Sequence, residues 1–397
     1  MRVPSDRPRG RRPRRPPHPS PIAAVTHAEP ASRRPDLPEA ITWADPARQS
    51  AFDGWLATLA PRHALQPLTL APASADASFR RYFRIQGEAA TFIVMDAPPA
   101  VEDNRAFVDI AALLRGAGLN VPQVLDWQVE HGFLLISDLG RRTYHAELLS
   151  LDLEQGAHQR RADGLYRDAI GALVSLQGIA VPDTLPRYDA AMVRRELDIF
   201  PAWYIARHQG MTLDDRQQHG LARAFDQITQ VFTSQAQVLV HRDFHSRNLM
   251  VCAPVETEGA GPAPNPGLLD FQGAVLGPVA YDLVSLLRDA YLDWDEPQQI
   301  DWAARYWERA RKAGVPVPDD FGTYWRDLEW TGLQRHLKVL GLFARLSHRD
   351  GKHGYLDDLP RVWRQAHHVA MRYSVLTPLA RLLEALAKVE ARDGYTF

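Results

Sequence analysis

The chain has 397 residues, 45% of them hydrophobic and 24% charged, with a formal net charge of −2. That length accommodates two lobes with a sizeable core, and the near-neutral balance argues against a nucleic-acid binder or a membrane-surface protein. A single cysteine, Cys252, excludes an internal disulfide, and no apolar run of about 18 residues is present to form a membrane-spanning helix, so a cytoplasmic protein is expected.

Residues 1–40 are rich in Pro and Arg, as in Arg11-Arg12-Pro13-Arg14-Arg15-Pro16-Pro17. Such a segment cannot bury enough apolar surface to offset its ordering entropy, which predicts a disordered tail. The paired arginines suggest an export signal, but Pro21-Ile22-Ala23-Ala24-Val25 is too short for the apolar region one needs.

The first lobe is expected over 41–139. Apolar residues at helical spacing (Phe52, Trp55, Leu56, Leu59) predict a helix within Trp43 to Leu59. Leu65 to Ala71, the segment ending in Arg80-Arg81-Tyr82-Phe83-Arg84-Ile85, and Thr91-Phe92-Ile93-Val94-Met95 read as strands of an antiparallel hairpin system. Asn104 to Arg115 reads as a helix with Phe107, Ile110, Ala111 and Leu114 on one face and Gly116 as its cap. Strands at Val124 to Trp127 and Phe133 to Ser137, joined by a turn at Glu130-His131-Gly132, run into a hinge at Asp138-Leu139-Gly140.

From about Tyr144 the pattern is mainly helical, giving a second lobe over 140–397. Leu165, Ala169, Leu173 and Leu176 form one stripe; Leu221, Phe225, Ile228, Val231 and Phe232 form another; Leu283, Leu286 and Leu287 mark a third. Short strands at Val238 to Val240, Leu249 to Val251 and Leu268-Leu269 interrupt it, with a Pro/Gly/Glu-rich exposed loop at Ala253 to Gly267. The last helix is capped by Thr377, with Pro378 in the first turn and Leu379, Leu382, Leu383, Leu386 and Val389 on one face.

Those short strands frame the most informative stretch, His241-Arg242-Asp243-Phe244-His245-Ser246-Arg247-Asn248, followed by Leu269-Asp270-Phe271-Gln272. Phosphoryl transfer from ATP needs one carboxylate to orient or deprotonate the acceptor hydroxyl, and an Asn and a second carboxylate to hold magnesium. The spacing matches the H-R-D-x-x-x-x-N loop and D-F-G position of kinases, with Gln272 in place of the glycine. A zinc reading of His241 and His245 lacks a helix face and further ligands. His241 reads as a brace for the loop, and His245 as a second brace or a lining of the acceptor site. Met95 stands where a kinase has its ATP-pairing Lys, and no G-x-G-x-x-G precedes the hairpin. One of Arg80, Arg81 and Arg84 is expected to supply the missing charge, since a guanidinium binds phosphate through two hydrogen bonds. Its partner carboxylate is Glu102 or Asp109.

These motifs, with Gly277-Pro278-Val279-Ala280-Tyr281-Asp282-Leu283, resemble the aminoglycoside phosphotransferase (choline-kinase-like) superfamily. Ala77-Ser78-Phe79-Arg80-Arg81-Tyr82-Phe83-Arg84, Met95-Asp96-Ala97-Pro98-Pro99 and Leu333-Gln334-Arg335-His336-Leu337-Lys338-Val339-Leu340-Gly341 look like its bacterial anomeric amino-sugar kinases. The resemblance covers roughly residues 76–360. It implies an α+β, bilobal, protein-kinase-like fold with a β-rich N-lobe and a mainly helical C-lobe. It implies ATP and Mg2+ as cofactors, Asp243 as catalytic residue, and Asn248 and Asp270 as metal ligands. Asp282 would brace the loop, Ser78 and the arginines would contact the phosphates, and backbone around Ser137, Asp138 and Leu139 would meet the adenine.

The expected reaction is phosphorylation of the anomeric hydroxyl of N-acetylmuramate and/or N-acetylglucosamine, feeding peptidoglycan recycling, by a monomer. Substrate candidates are His245, Arg247, Tyr291 and Trp294, with Arg335 and Lys338 available to a sugar carboxylate. Other readings are a kinase of an aminoglycoside, choline or homoserine, and a nucleotide-binding pseudokinase. Retention of Asp243, Asn248 and Asp270 argues against the last.

Overall fold

The protein is described by a computed structural model covering residues 41–75, 79–252 and 265–393, with side chains placed at all of these except 74, 75 and 388–393. The expectations for the 1–40 tail, for Ser78, for most of the 253–267 loop and for the side chain of Val389 lie outside the described residues.

Helix α1 (Pro46–Leu59) starts at Asp45, whose side chain accepts from the Ala47 amide, and buries Phe52, Leu56 and Leu59. Strands β1 (Gln66–Ala75), β2 (Arg81–Gln86) and β3 (Thr91–Asp96) follow, then α2 (Asn104–Gly116), β4 (Val124–Gln128) and β5 (Phe133–Ser137). The five strands form one antiparallel sheet in the order β1-β2-β3-β5-β4. Period-two alternation sorts its side chains. Phe83, Ile85, Val94, Phe133 and Leu135 join the α1 side chains in one core, whereas Met95, Leu134 and Ile136 join Phe107, Ile110, Ala111 and Leu114 of α2 in another. Each such burial contributes about 1.5–3 kcal/mol. The left-handed residue closing α2 is Gly118 (φ +79°) and not Gly116, because the Leu119 amide reaches back to the Leu114 carbonyl.

The remainder is mostly helical: α3 (Tyr144–Leu149), α4 (Gly156–Gln177), α5 (Ala190–Leu197), a π-helix over Phe200–His208, and α6 (Asp215–Ser234). Four short strands, β6 (Gln237–Val240), β7 (Leu249–Met250), β8 (Gly267–Leu268) and β9 (Val275–Pro278), pair β6 with β9 and β7 with β8. Helices α7 (Tyr281–Leu287), α8 (Glu296–Lys312), α9 (Phe321–Asp350), α10 (Leu359–Arg372) and α11 (Thr377–Asp393) complete the chain. Thr377 is the first residue of α11 rather than its cap. Strand β9 escaped the sequence reading because it is only four residues long and its second half, Gly277-Pro278, belongs to a motif read only as a helix entry. Asn265, in the stretch read as exposed loop, anchors the chain instead: it accepts from the Cys252 amide and donates to Tyr144 and Asp168.

The architecture is α+β and bilobal, a β-rich lobe followed by a helical one. Helix α9 runs through the helical lobe and carries Gln334 and Lys338, which meet Glu196 behind the 241–248 loop. It packs against the π-helix at Gly341, where a Cβ would lie 2.5 Å from the Ile199 carbonyl carbon and oxygen and 2.7 Å from the Phe200 nitrogen. Backbone cannot yield as a side-chain tip can, so Gly341→Ala should cost about 1–3 kcal/mol by overpacking. Chemical denaturation checks this; an unchanged midpoint would show that α9 can shift freely.

Candidate active site

Strand β6 delivers the chain to His241, and the next turn is held from behind by α7. The buried Asp282 carboxylate accepts from the His241 amide at 2.7 Å and the Arg242 amide at 3.0 Å. Arg242 adopts φ +76°, a left-handed conformation unusual for a side-chain-bearing residue. His241 Nδ1 accepts from the Asp243 amide at 3.3 Å, and burial pushes the His241 imidazole down to about 4, so it stays neutral. The Asn248 side-chain amide donates to the Asp243 carbonyl at 3.0 Å and lies 3.4 Å from Asp270 Oδ2. Asp270, at φ +63°, accepts from Gln272 at 2.5 Å. Asp243, Asn248 and Asp270 therefore meet in one place. Phe271 packs on Phe107 of α2 with ring centroids 5.0 Å apart, which ties the Asp270 turn to the N-lobe helix.

Behind the loop, Glu196 of α5 gathers cations. Its carboxylate accepts from Arg242 at 2.9 Å, Lys338 at 2.8 Å and Gln334 at 3.1 Å, and closely from the Tyr188 hydroxyl. Burial would raise the Asp243 carboxyl, but the charges of Lys338, His245, Arg242 and Arg335 outweigh it and hold the group below the usual carboxylate range. An ionised carboxylate is what a hydrogen-bond acceptor for a substrate hydroxyl requires.

Beside the loop, Asp289 accepts from the Ser246 amide at 3.0 Å and its hydroxyl at 2.5 Å. Tyr291 forms edge contacts with His245 and His145, at 5.5 and 6.0 Å between centroids, and the Arg247 guanidinium lies 3.5 Å over its ring. Trp294 is not brought to this group. Its indole N–H donates to Tyr166, and its ring packs edge-on against Tyr166 and Trp302, so it is a packing residue. Lys338 is likewise committed, to Glu196, and is not open to a sugar carboxylate.

The three arginines of the hairpin separate. Arg81 pairs closely with Asp96 and lies over the Trp43 ring on the α1 face of the sheet, away from the face carrying Tyr82 and Arg84. Arg84 is on that other face but clamps the hinge, bonding Asp138 at 2.5 and 3.0 Å and the Gly140 carbonyl at 2.8 Å. Ser137 is pinned to Gln123 through its amide and hydroxyl, and the Leu139 carbonyl faces Cys252. Arg80, buried, pairs with Glu102 at 3.0 Å, and Glu102 also accepts from the Phe79 amide at 3.1 Å. Asp109 is exposed, so geometry selects Glu102 as the carboxylate partner.

The sequence reading missed Asp289 and Glu196. Asp289 lies two residues past the end of α7, outside the helical pattern and unmarked by any local motif. Glu196 reaches the loop from a helix distant in sequence, with no local motif to mark it.

Comparison with known proteins sets this geometry in a family. Residues 69–321 match the phosphotransferase enzyme family model. The chain belongs to the phosphotransferase enzyme family. It is 44% identical over 349 residues to the N-acetylmuramate/N-acetylglucosamine kinase of Pseudomonas aeruginosa, covering 86% of this chain and 98% of that one. With the Neisseria meningitidis protein of the same name it shares 41% over 352 residues, 88% of this chain and 99% of that one. Among solved structures, ethanolamine kinase from Plasmodium vivax superposes with a TM-score of 0.52 at 11% identity, covering 84% of this chain and 90% of that one. The ADP-bound aminoglycoside phosphotransferase APH(2'')-Ib gives 0.50 at 14% identity, covering 78% and 96%. At these identities the solved structures show the protein-kinase-like fold of this phosphotransferase.

Burial pushes the Asp282 carboxyl up to about 7, against the pull of its two amide hydrogen bonds. The folded protein then holds a proton that the unfolded chain releases above about pH 4, so this group's contribution to stability falls as pH rises from about 4 to about 7. Asp282→Ala removes that dependence and leaves the buried His241 amide and the half-buried Arg242 amide without their acceptor, costing about 1–3 kcal/mol for the first and less for the second. Urea unfolding of both proteins at about pH 5 and about pH 8 reads both effects. Curves that match the wild type would show that other contacts hold the loop.

Proposed function

We propose that this phosphotransferase transfers the γ-phosphoryl group of ATP to the anomeric hydroxyl of N-acetylmuramate and N-acetylglucosamine, yielding sugar 1-phosphates for peptidoglycan recycling. The observation that carries the reading is the meeting of Asp243, Asn248 and Asp270 on a loop fixed by Asp282, in a chain 44% identical to a kinase of that name. In this reading the nucleotide lies between the 41–139 and 140–397 lobes, with the hinge at Asp138-Leu139-Gly140 beside its base. Asp243 accepts a hydrogen bond from the anomeric hydroxyl and orients it for attack. That hydroxyl is more acidic than an ordinary sugar alcohol, so positioning supplies much of the rate.

Asn248 and Asp270 would hold magnesium. The fit is chemical: the Asn248 nitrogen donates to the Asp243 carbonyl and, at 3.4 Å, to the Asp270 carboxylate, so the amide oxygen of the same side chain is the atom that would serve as a ligand next to Asp270. Two such oxygens plus substrate phosphates suit a hard cation that keeps several waters. When bound, the ion supplies neutralisation of the phosphate charge.

Arg80 takes the part that a lysine plays in other kinases. It follows directly on the 76–78 segment and is oriented by Glu102 at the start of α2. Arg80→Gln should raise the KM for ATP about 10–100-fold, the worth of one or two charge-assisted hydrogen bonds, with little change in the KM for sugar. An unchanged KM for ATP would remove Arg80 from the nucleotide site.

The function is tested by labelled phosphate transfer from ATP to a panel of both amino sugars, an aminoglycoside and choline. Transfer to the amino sugars is expected, and Asp243→Asn should lower kcat about 10²–10⁴-fold. Absence of transfer to either amino sugar, or an Asp243→Asn variant with near-normal turnover, would overturn the assignment.

A further inference from the structure

Arg335 sits on α9 one turn before Lys338 and is only 5% exposed. The other buried cations of this region each have a carboxylate: Arg242 and Lys338 share Glu196, and Arg288 pairs with Glu329. Arg335 has no ion pair or hydrogen bond among the described residues, and its Nη1 is buried without a partner. An unpaired buried charge is costly, by several kcal/mol even after relaxation. The charge nonetheless lies close enough to the site for its field to act on Asp243, His245, Tyr291 and Asp282. His245, between the loop and Tyr291, also has a buried Nδ1 with no partner. Two open polar groups thus adjoin the carboxylate that would meet the sugar hydroxyl.

The two sugars of the proposed reaction differ in one substituent. N-acetylmuramate carries a lactyl ether ending in a carboxylate, and N-acetylglucosamine has a neutral hydroxyl there. We infer that Arg335 anchors the anionic substituent of the acidic sugar and so sets the preference of this site for N-acetylmuramate over N-acetylglucosamine. This rests on the function proposed above. A guanidinium presents two parallel N–H donors that match a carboxylate, which the neutral sugar cannot use. Lys338, the other cation of the same helical face, is occupied by Glu196, so Arg335 alone of the two is available.

The test compares kcat/KM for N-acetylmuramate, N-acetylglucosamine and the methyl ester of N-acetylmuramate, in wild type and Arg335→Gln. The expected result is a fall with N-acetylmuramate about 10–100-fold larger than any fall shared by the other two substrates, with the selective part mostly in KM. The ester keeps the bulk and loses the charge, so it separates recognition of the anion from recognition of size. An equal fall with all three substrates, as a contact to ATP phosphates or to Asp243 would give, overturns the inference, as does an unchanged ratio. Should Arg335→Gln not fold, Arg335→Lys provides the same comparison: a selective loss with N-acetylmuramate supports the anchor, and a uniform one overturns it. Wild-type protein that phosphorylates neither sugar would instead remove the proposed function, a separate outcome.

Discussion

The loop that carries Asp243 depends on one buried carboxyl group. Asp282, in the first turn of α7, takes the amides of His241 and Arg242 together, and this holds Arg242 in a left-handed conformation. Such a conformation costs about 1–2 kcal/mol for a residue with a Cβ, so it persists only where the surroundings impose it. The turn has two consequences. It presents Asp243 beside Asn248 and Asp270, and it sends the Arg242 side chain backward to Glu196. Glu196 then recruits Lys338, linking α5, the loop and α9 through one carboxylate. A change at Asp282 therefore reaches the ion network and Asp243 at once.

A second chain of contacts runs through the other lobe. Phe271, next to Asp270, packs on Phe107 of α2, and Glu102 just before α2 holds both Arg80 and the Phe79 amide. The residues that follow the phosphate-covering segment and the turn that would hold the metal are thus attached, respectively, to Glu102 just before α2 and to Phe107 within it. Any shift of α2 moves both, which is how a bilobal kinase can couple nucleotide binding to metal geometry. Arg84 fixes the remaining joint by clamping Asp138 at the hinge.

The core of this site was legible in the sequence because its members sit within one loop and one turn: Asp243, Asn248 and Asp270 are spaced as phosphoryl transfer needs them. The strands and main helices were legible from periodicity. The three arginines were not resolved, although period-two alternation places Arg81 and Arg84 on opposite faces of β2. What decides their roles is the partner, and Asp96, Asp138 and Glu102 come from three different elements. Asp289 and Glu196 were missed for the same reason, since each acts across the fold on a loop far from it in sequence. Trp294 was misplaced because an aromatic residue beside a site and one in a packed cluster have the same local pattern. Tertiary contact alone separates them.

The distribution of charge around Asp243 gives the site its character. Arg242 and Lys338 steady the Asp243 carboxylate, yet Glu196 already neutralises them, so they offer little attraction to a further anion. Arg247 is exposed over Tyr291, where solvent screens it. Arg335 differs from all three in being buried and unpaired, and in a low-dielectric surrounding its field is weakened least. An arriving anion would gain there an interaction that no internal partner has claimed, whereas a neutral sugar would leave the desolvated guanidinium unserved. The same feature that makes Arg335 costly to the free protein would therefore make it selective under the proposal above: the cost of leaving it unpaired would be recovered with an acidic substrate.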